Sequence, residues 1–128
     1  MNAQVRYYED LAEGEQQESG TRAVTEAQLC AFAREYDPQY FHVDPKAARG
    51  SIFGGLIASG IFTMALWRQL DHEIGHDIAW ICGVAWDEVR FPLPVRPGIR
   101  YARAPPASVS DSRVVTPNEA WSYTNTFW

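Results

Sequence analysis

The sequence predicts an α+β fold in which an antiparallel sheet curves around a buried helix. Three observations lead there. Helical patterns come first along the chain and strand-like runs follow, the order expected of segregated α+β layers. Residues 56–67 are apolar at nearly every position, and a helix that is apolar all round is buried on all sides. The chain has 128 residues, 46% hydrophobic and 21% charged, the size and composition of one globular domain spanning residues 1–128.

Each element has its own local reason. Residues 7–14 are acidic and read as an extended lead-in, and residues 16–24 have weak strand character. Thr25 is followed three positions later by Gln28, a capping-box pattern, and Val24 can staple onto Leu29. Leu29, Phe32, Ala33 and Tyr36 then keep the i, i+3, i+4, i+7 spacing of an amphipathic helix over residues 25–36. Pro38 ends it by driving Asp37 out of the helical region. Residues 37–51 are irregular, with room for one helical turn after Pro45. Gly54 and Gly55 lead into the apolar helix from Leu56.

Residues 78–91 read as a strand covered on both faces. Trp80, Cys82, Val84 and Trp86 alternate on one side, with Ala79, Ile81, Gly83 and Ala85 on the other. Pro92, Pro94, Pro97 and Gly98 mark a turn region. Residues 99–104 and 108–115 are strand-like, broken by Pro105 and Pro106. Pro117 and Asn118 mark another turn, after which residues 120–128 alternate again.

Composition excludes several functions. The net charge is −5, and Lys46 is the one lysine beside ten scattered arginines. No basic stripe exists to hold nucleic acid or an anionic membrane surface. The longest apolar run, residues 52–67, is shorter than the ~20 residues a membrane helix needs. The opening residues hold no apolar core of signal-peptide length. Cys30 and Cys82 are then expected to be two reduced, buried thiols in a cytoplasmic protein.

Three groups could carry chemistry. Asp37 and His42 are five residues apart, about 140° around a helical wheel, so one helix face does not present both. A loop broken by Pro38 can, and an acid beside an imidazole moves protons near neutral pH. The plainer alternative is that Asp37 only ends the helix while His42 packs on Tyr40 and Phe41. Gly54, Gly55, Ser59 and Gly60 form the second group. Glycine admits close approach to backbone N–H groups at a helix N-terminus, which suit an anion or an oxyanion. Close helix–sheet packing demands glycine equally.

The third group is His72-Glu73-Ile74-Gly75-His76, which fits the H-E-x-x-H pattern of zinc proteases. A catalytic zinc needs a third protein ligand. No histidine follows His76, and the downstream glutamates Glu88 and Glu119 fall in or beside expected strands. A zinc metalloprotease is therefore the weakest reading, and no metal is expected.

The combination resembles a known family. Tyr36–Pro45 (YDPQYFHVDP) followed by Phe53–Gly60 (FGGLIASG) is similar to the MaoC-like dehydratases, the (R)-specific enoyl-CoA hydratase group. Tyr8-Glu9-Asp10-Leu11 with Gly14, and Pro94–Gly98 (PVRPG), resemble that family too. The resemblance implies a hot-dog fold, an antiparallel sheet wrapped around a long central helix. It implies addition of water across the double bond of a trans-2-enoyl thioester, with an acyl-CoA as substrate and no cofactor. Asp37 and His42 match the family's catalytic Asp and His, and Gly60 matches the glycine whose N–H meets the thioester oxygen. Gly55 and Ser59 join it as candidate oxyanion or substrate-binding residues.

Two departures stand out. Gln39-Tyr40 replaces the Asn-Pro of the well-studied hydratases, and the alternation is still running at Trp128. A chain truncated at its C-terminus, or a strand supplied by a partner, is expected, and the resemblance implies a homodimer or higher homo-oligomer. The departures also motivate two alternatives on the same fold: a non-catalytic acyl-thioester-binding subunit, and an acyl-CoA thioesterase.

Overall fold

The computed structural model describes residues 4–12, 15, 17–83, 85, 86, 88–104, 111–116 and 119–124. Gly14, Gln16, Val84, residues 105–110, Pro117, Asn118 and residues 125–128 lie outside them, and so do the expected break at Pro105-Pro106, the turn at Pro117-Asn118 and the last part of the final strand.

The helices are α1 (Glu26–Tyr36), α2 (Tyr40–Val43), α3 (Pro45–Ala48) and α4 (Gly60–Ile74). The strands are β1 (Arg22–Ala23), β2 (Glu88–Val89), β3 (Arg100–Ala104), β4 (Asp111–Thr116) and β5 (Glu119–Thr124). They form one antiparallel sheet in the order β1-β3-β4-β5-β2. Arg22 pairs with Tyr101, Val114 with Trp121 and Glu88 with Thr124.

The capping box at Thr25 forms as expected. Its hydroxyl accepts from Gln28 N–H at 3.2 Å, and Gln28 Oε1 accepts from Thr25 N–H at 2.9 Å. Helix α1 ends at Asp37, whose N–H reaches Ala33 O at 2.9 Å. The turn after Pro45 is present as α3, capped by the Asp44 carboxylate. A second turn, α2, precedes it.

Helix α4 corrects the sequence reading twice. It begins at Gly60, not Leu56, because residues 56–59 are extended and tied to other segments. Ile57 N–H bonds Phe41 O at 3.1 Å and Ala58 N–H bonds Val95 O at 2.8 Å. Ser59 caps the helix. Nor is α4 buried all round. Thr63, Leu66, Trp67 and Leu70 form one buried stripe, while Ile61 is 55% exposed. Among the described residues, β3 and α1 pack against the helix. The core joins that stripe to Val24, Leu29, Cys30, Leu56, Val95 and Tyr101.

The expected strand over residues 78–91 is also corrected. Among the described residues its regular part is Glu88–Val89, with one isolated parallel bridge from Arg6 to Ile78. Strand β2 is an edge of the sheet. Trp80, Ile81, Cys82 and Trp86 are exposed, so Cys82 is not a buried thiol.

Three ion pairs fasten the N-terminal segment. Arg6 Nε donates to Asp77 Oδ2 at 2.7 Å and Arg6 Nη1 to Glu15 Oε1 at 2.7 Å, while Arg22 pairs with Glu73. Among the described residues no helix is long and apolar enough to cross a membrane.

Candidate active site

The end of α1 and the turn α2 bring Asp37 and His42 together. Gln39 N–H folds back on Asp37 O at 2.8 Å, and His42 N–H on Gln39 O at 2.9 Å. This reversal achieves what a single helix face does not. His42 is buried, and its Nδ1 lies 2.8 Å from Ile57 O. A carbonyl only accepts, so Nδ1 carries a proton, and in the neutral ring Nε2 keeps its lone pair. Nε2 faces Asp37 Oδ2 at 3.5 Å.

Asp37 is held as a carboxylate. Ser59 Oγ donates to its Oδ2 at 2.7 Å and Gln39 Nε2 to its Oδ1 at 3.0 Å. The Ser59 bond, then the Gln39 bond and the nearby His42, hold the carboxyl below the usual range against the opposing effect of burial.

Beside this pair lies a cavity of about 300 Å³. Phe41, Phe53, Ile57, Phe91, Leu93 and Val95 supply apolar wall, with His42, Gly60 and Thr63 also lining it. Gly60 is the first residue of α4, so its N–H is one of those without an intrahelical acceptor. A group in the cavity can meet an imidazole lone pair and the positive end of a helix at once.

The other sequence candidates fall elsewhere. Ser59 is buried, donates to Asp37 and caps the helix. Gly55 stands in the bend before residues 56–59, where an added Cβ would come 3.4 Å from Arg96 Nη1. It therefore has no helix-terminal N–H to offer. The H-E-x-x-H stretch is divided by the end of α4 at Ile74. His76 lies beyond the cap and bonds Glu73 O through Nδ1 at 2.7 Å, and Glu73 pairs with Arg22. The two histidines do not share a helical face. Among the described residues no cluster of three or more metal-ligating side chains forms.

Two participants were missed in the sequence. Gln39 stood out only as a departure, although an amide two residues past an Asp in a Pro-broken turn is placed to donate back to it. Phe91 packs on Gly60 across 31 residues of chain, and no local pattern announces that.

Comparison with known proteins identifies the family and the fold. A family model described as MaoC like domain matches residues 9–104. The chain is 42% identical over 77 residues to YdeM of Bacillus subtilis, covering 58% of this chain and 53% of that protein. It is 38% identical over 82 residues to 3-hydroxyacyl-thioester dehydratase Z of Mycobacterium tuberculosis, covering 60% and 53%. The chain thus spans about half the length of the curated relatives it matches. Among solved structures, the MaoC-like dehydratase from Rhodospirillum rubrum superimposes with a TM-score of 0.77 at 32% identity, covering 95% of this chain and 97% of that one.

Proposed function

The chain belongs to the MaoC-like domain family and has its hot-dog fold, and from that premise we propose a hydratase/dehydratase of acyl thioesters. The reaction is addition of water across the double bond of a trans-2-enoyl thioester, with an enoyl-CoA as the substrate to try first. The observation that carries this reading is the facing pair, Asp37 Oδ2 and His42 Nε2, at 3.5 Å beside an apolar cavity.

Both facing atoms are acceptors. A substrate water donates one hydrogen to each, which leaves an oxygen lone pair for C3 of the enoyl group. As the O–C3 bond forms, the C2–C3 π pair moves toward the carbonyl and the thioester becomes an enolate. Gly60 N–H and the α4 dipole stabilise its oxygen. Asp37 is the weaker base because its carboxylate is doubly hydrogen-bonded, so the water proton goes to His42 Nε2. The imidazolium formed beside the Asp37 carboxylate returns that proton to C2. Asp37 orients the water and offsets the charge on His42. No cofactor is needed for this sequence of steps.

We read the chain as at least a homodimer. Trp80, Ile81 and Trp86 are exposed ahead of the edge strand β2, and contiguous exposed apolar surface marks association.

A panel of trans-2-enoyl-CoAs tests the proposal. Loss of the conjugated-thioester absorbance with formation of the 3-hydroxyacyl product supports it. Release of free CoA makes the protein a thioesterase, and saturable binding without turnover makes it a carrier; either result overturns the hydratase reading.

A further inference from the structure

A Cβ built on Gly60 would lie 3.0 Å from both Cε2 and Cζ of Phe91, tighter than most side-chain contacts. The Phe91 ring would therefore have to give way to any side chain at position 60. Both residues line the cavity, so the ring is a wall of it directly beside the N-terminus of α4. At about 300 Å³ the cavity is at the small end of the ~300–1,000 Å³ range of small-molecule sites.

Two of the other aromatic walls are coupled to the imidazole. Phe41 packs edge-on against Phe53 at 5.2 Å between centroids and against His42 at 4.6 Å, so changing either phenylalanine disturbs the imidazole. Phe91 is 46% exposed, and the segment that carries it is anchored further along by Ala58 N–H on Val95 O at 2.8 Å. Its ring can change size while the backbone holds its place.

We infer that Phe91 is a specificity-determining residue: its ring, seated on Gly60, closes the cavity beside the helix N-terminus and restricts the site to short acyl groups. The inference rests on the acyl-thioester reading above. It also gives Gly60 a second duty, since the glycine is what lets the ring close.

Calorimetric binding of butanoyl-CoA and octanoyl-CoA to the full chain tests this without turnover. In the unaltered protein butanoyl-CoA binds more tightly. Phe91→Ala shifts the Kd ratio toward octanoyl-CoA by ~10-fold or more, the scale on which hydrophobic pockets discriminate methylenes. Phe91→Leu, the milder change should the alanine variant not fold, shifts it the same way by less. Gly60→Ala weakens butanoyl-CoA binding, and the penalty shrinks when Phe91 is also alanine. A ratio within about twofold of the original in both Phe91 variants overturns the inference, and so does failure to bind either thioester. Binding with this selectivity but no hydration of the matching enoyl-CoA overturns the hydratase reading alone.

Discussion

Ser59 donates its hydroxyl to Asp37 Oδ2 at 2.7 Å across 22 residues of chain, and the same hydroxyl oxygen accepts from Ile61 N–H at 3.3 Å. One small side chain thus fixes the acid to the first turn of α4, the turn that begins with Gly60. The relative placement of the carboxylate and the helix N-terminus is set by that oxygen.

Ser59→Ala removes both bonds. Loss of the cap costs about 1 kcal/mol, read as a lower Tm at neutral pH. The Asp37 carboxyl, now without its main donor, titrates closer to its ordinary value of 3.8. In the intact protein its pKa lies below that value, so near it the unfolded chain binds a proton that the native chain does not. The stabilisation is complete above the ordinary value and lost as pH falls through the native one. Ser59→Ala should therefore destabilise less at pH 3 than at pH 7, and the acid limb of kcat/KM should move up. Equal destabilisation at both pH values would show that Ser59 acts only as a cap.

Asp37→Asn and His42→Ala each cost ~10²–10⁴-fold in hydration rate, the worth of a positioned acid–base group. The circular dichroism spectrum stays that of the unaltered protein. His42→Gln should not rescue, because an amide takes no proton from water. Turnover surviving in either Asp37→Asn or His42→Ala at more than about a tenth of the original rate would remove that residue from the mechanism.

His76→Ala leaves hydration unchanged, since His76 lies past the end of α4 and bonds only Glu73 O among the contacts described. A chelator such as EDTA also leaves it unchanged. A zinc enzyme would give the reverse: loss with EDTA, and about one zinc per chain by elemental analysis.

Ile81→Asp places a charge on a side chain that is 98% exposed in the single chain. Light scattering should find dimer or larger for the unaltered protein at micromolar concentration, and monomer for the variant. A monomer in both would remove the assembly proposal.

What the sequence disclosed follows a physical division. The α1 cap was legible because Thr25 and Gln28 meet within one turn. Asp37 and His42 were legible as a pair because Pro38 forces a reversal between them. The start of α4 was not, because the apolar run from Leu56 crosses an extended segment and a helix without a break. Only the distant bonds of Ile57 and Ala58 to Phe41 and Val95 separate the two. The apolar positions of residues 78–86 looked like a covered strand, yet Trp80, Ile81, Cys82 and Trp86 are exposed. The contacts of Phe91 with Gly60 and of Ser59 with Asp37 join distant segments, beyond any local pattern.

The sheet order carries a consequence for how the chain reaches its structure during synthesis. Glu88 finds its partner in Thr124, and Val89 in Tyr123, so β2 pairs with nothing until β5 has left the ribosome. At ~5–20 residues per second, the intervening residues take seconds to emerge. Through that interval Trp80, Ile81 and Trp86 stand on a nascent chain whose sheet is still open. The strand order thus makes this tryptophan-rich stretch the interval's aggregation hazard and the place where a chaperone has most to cover.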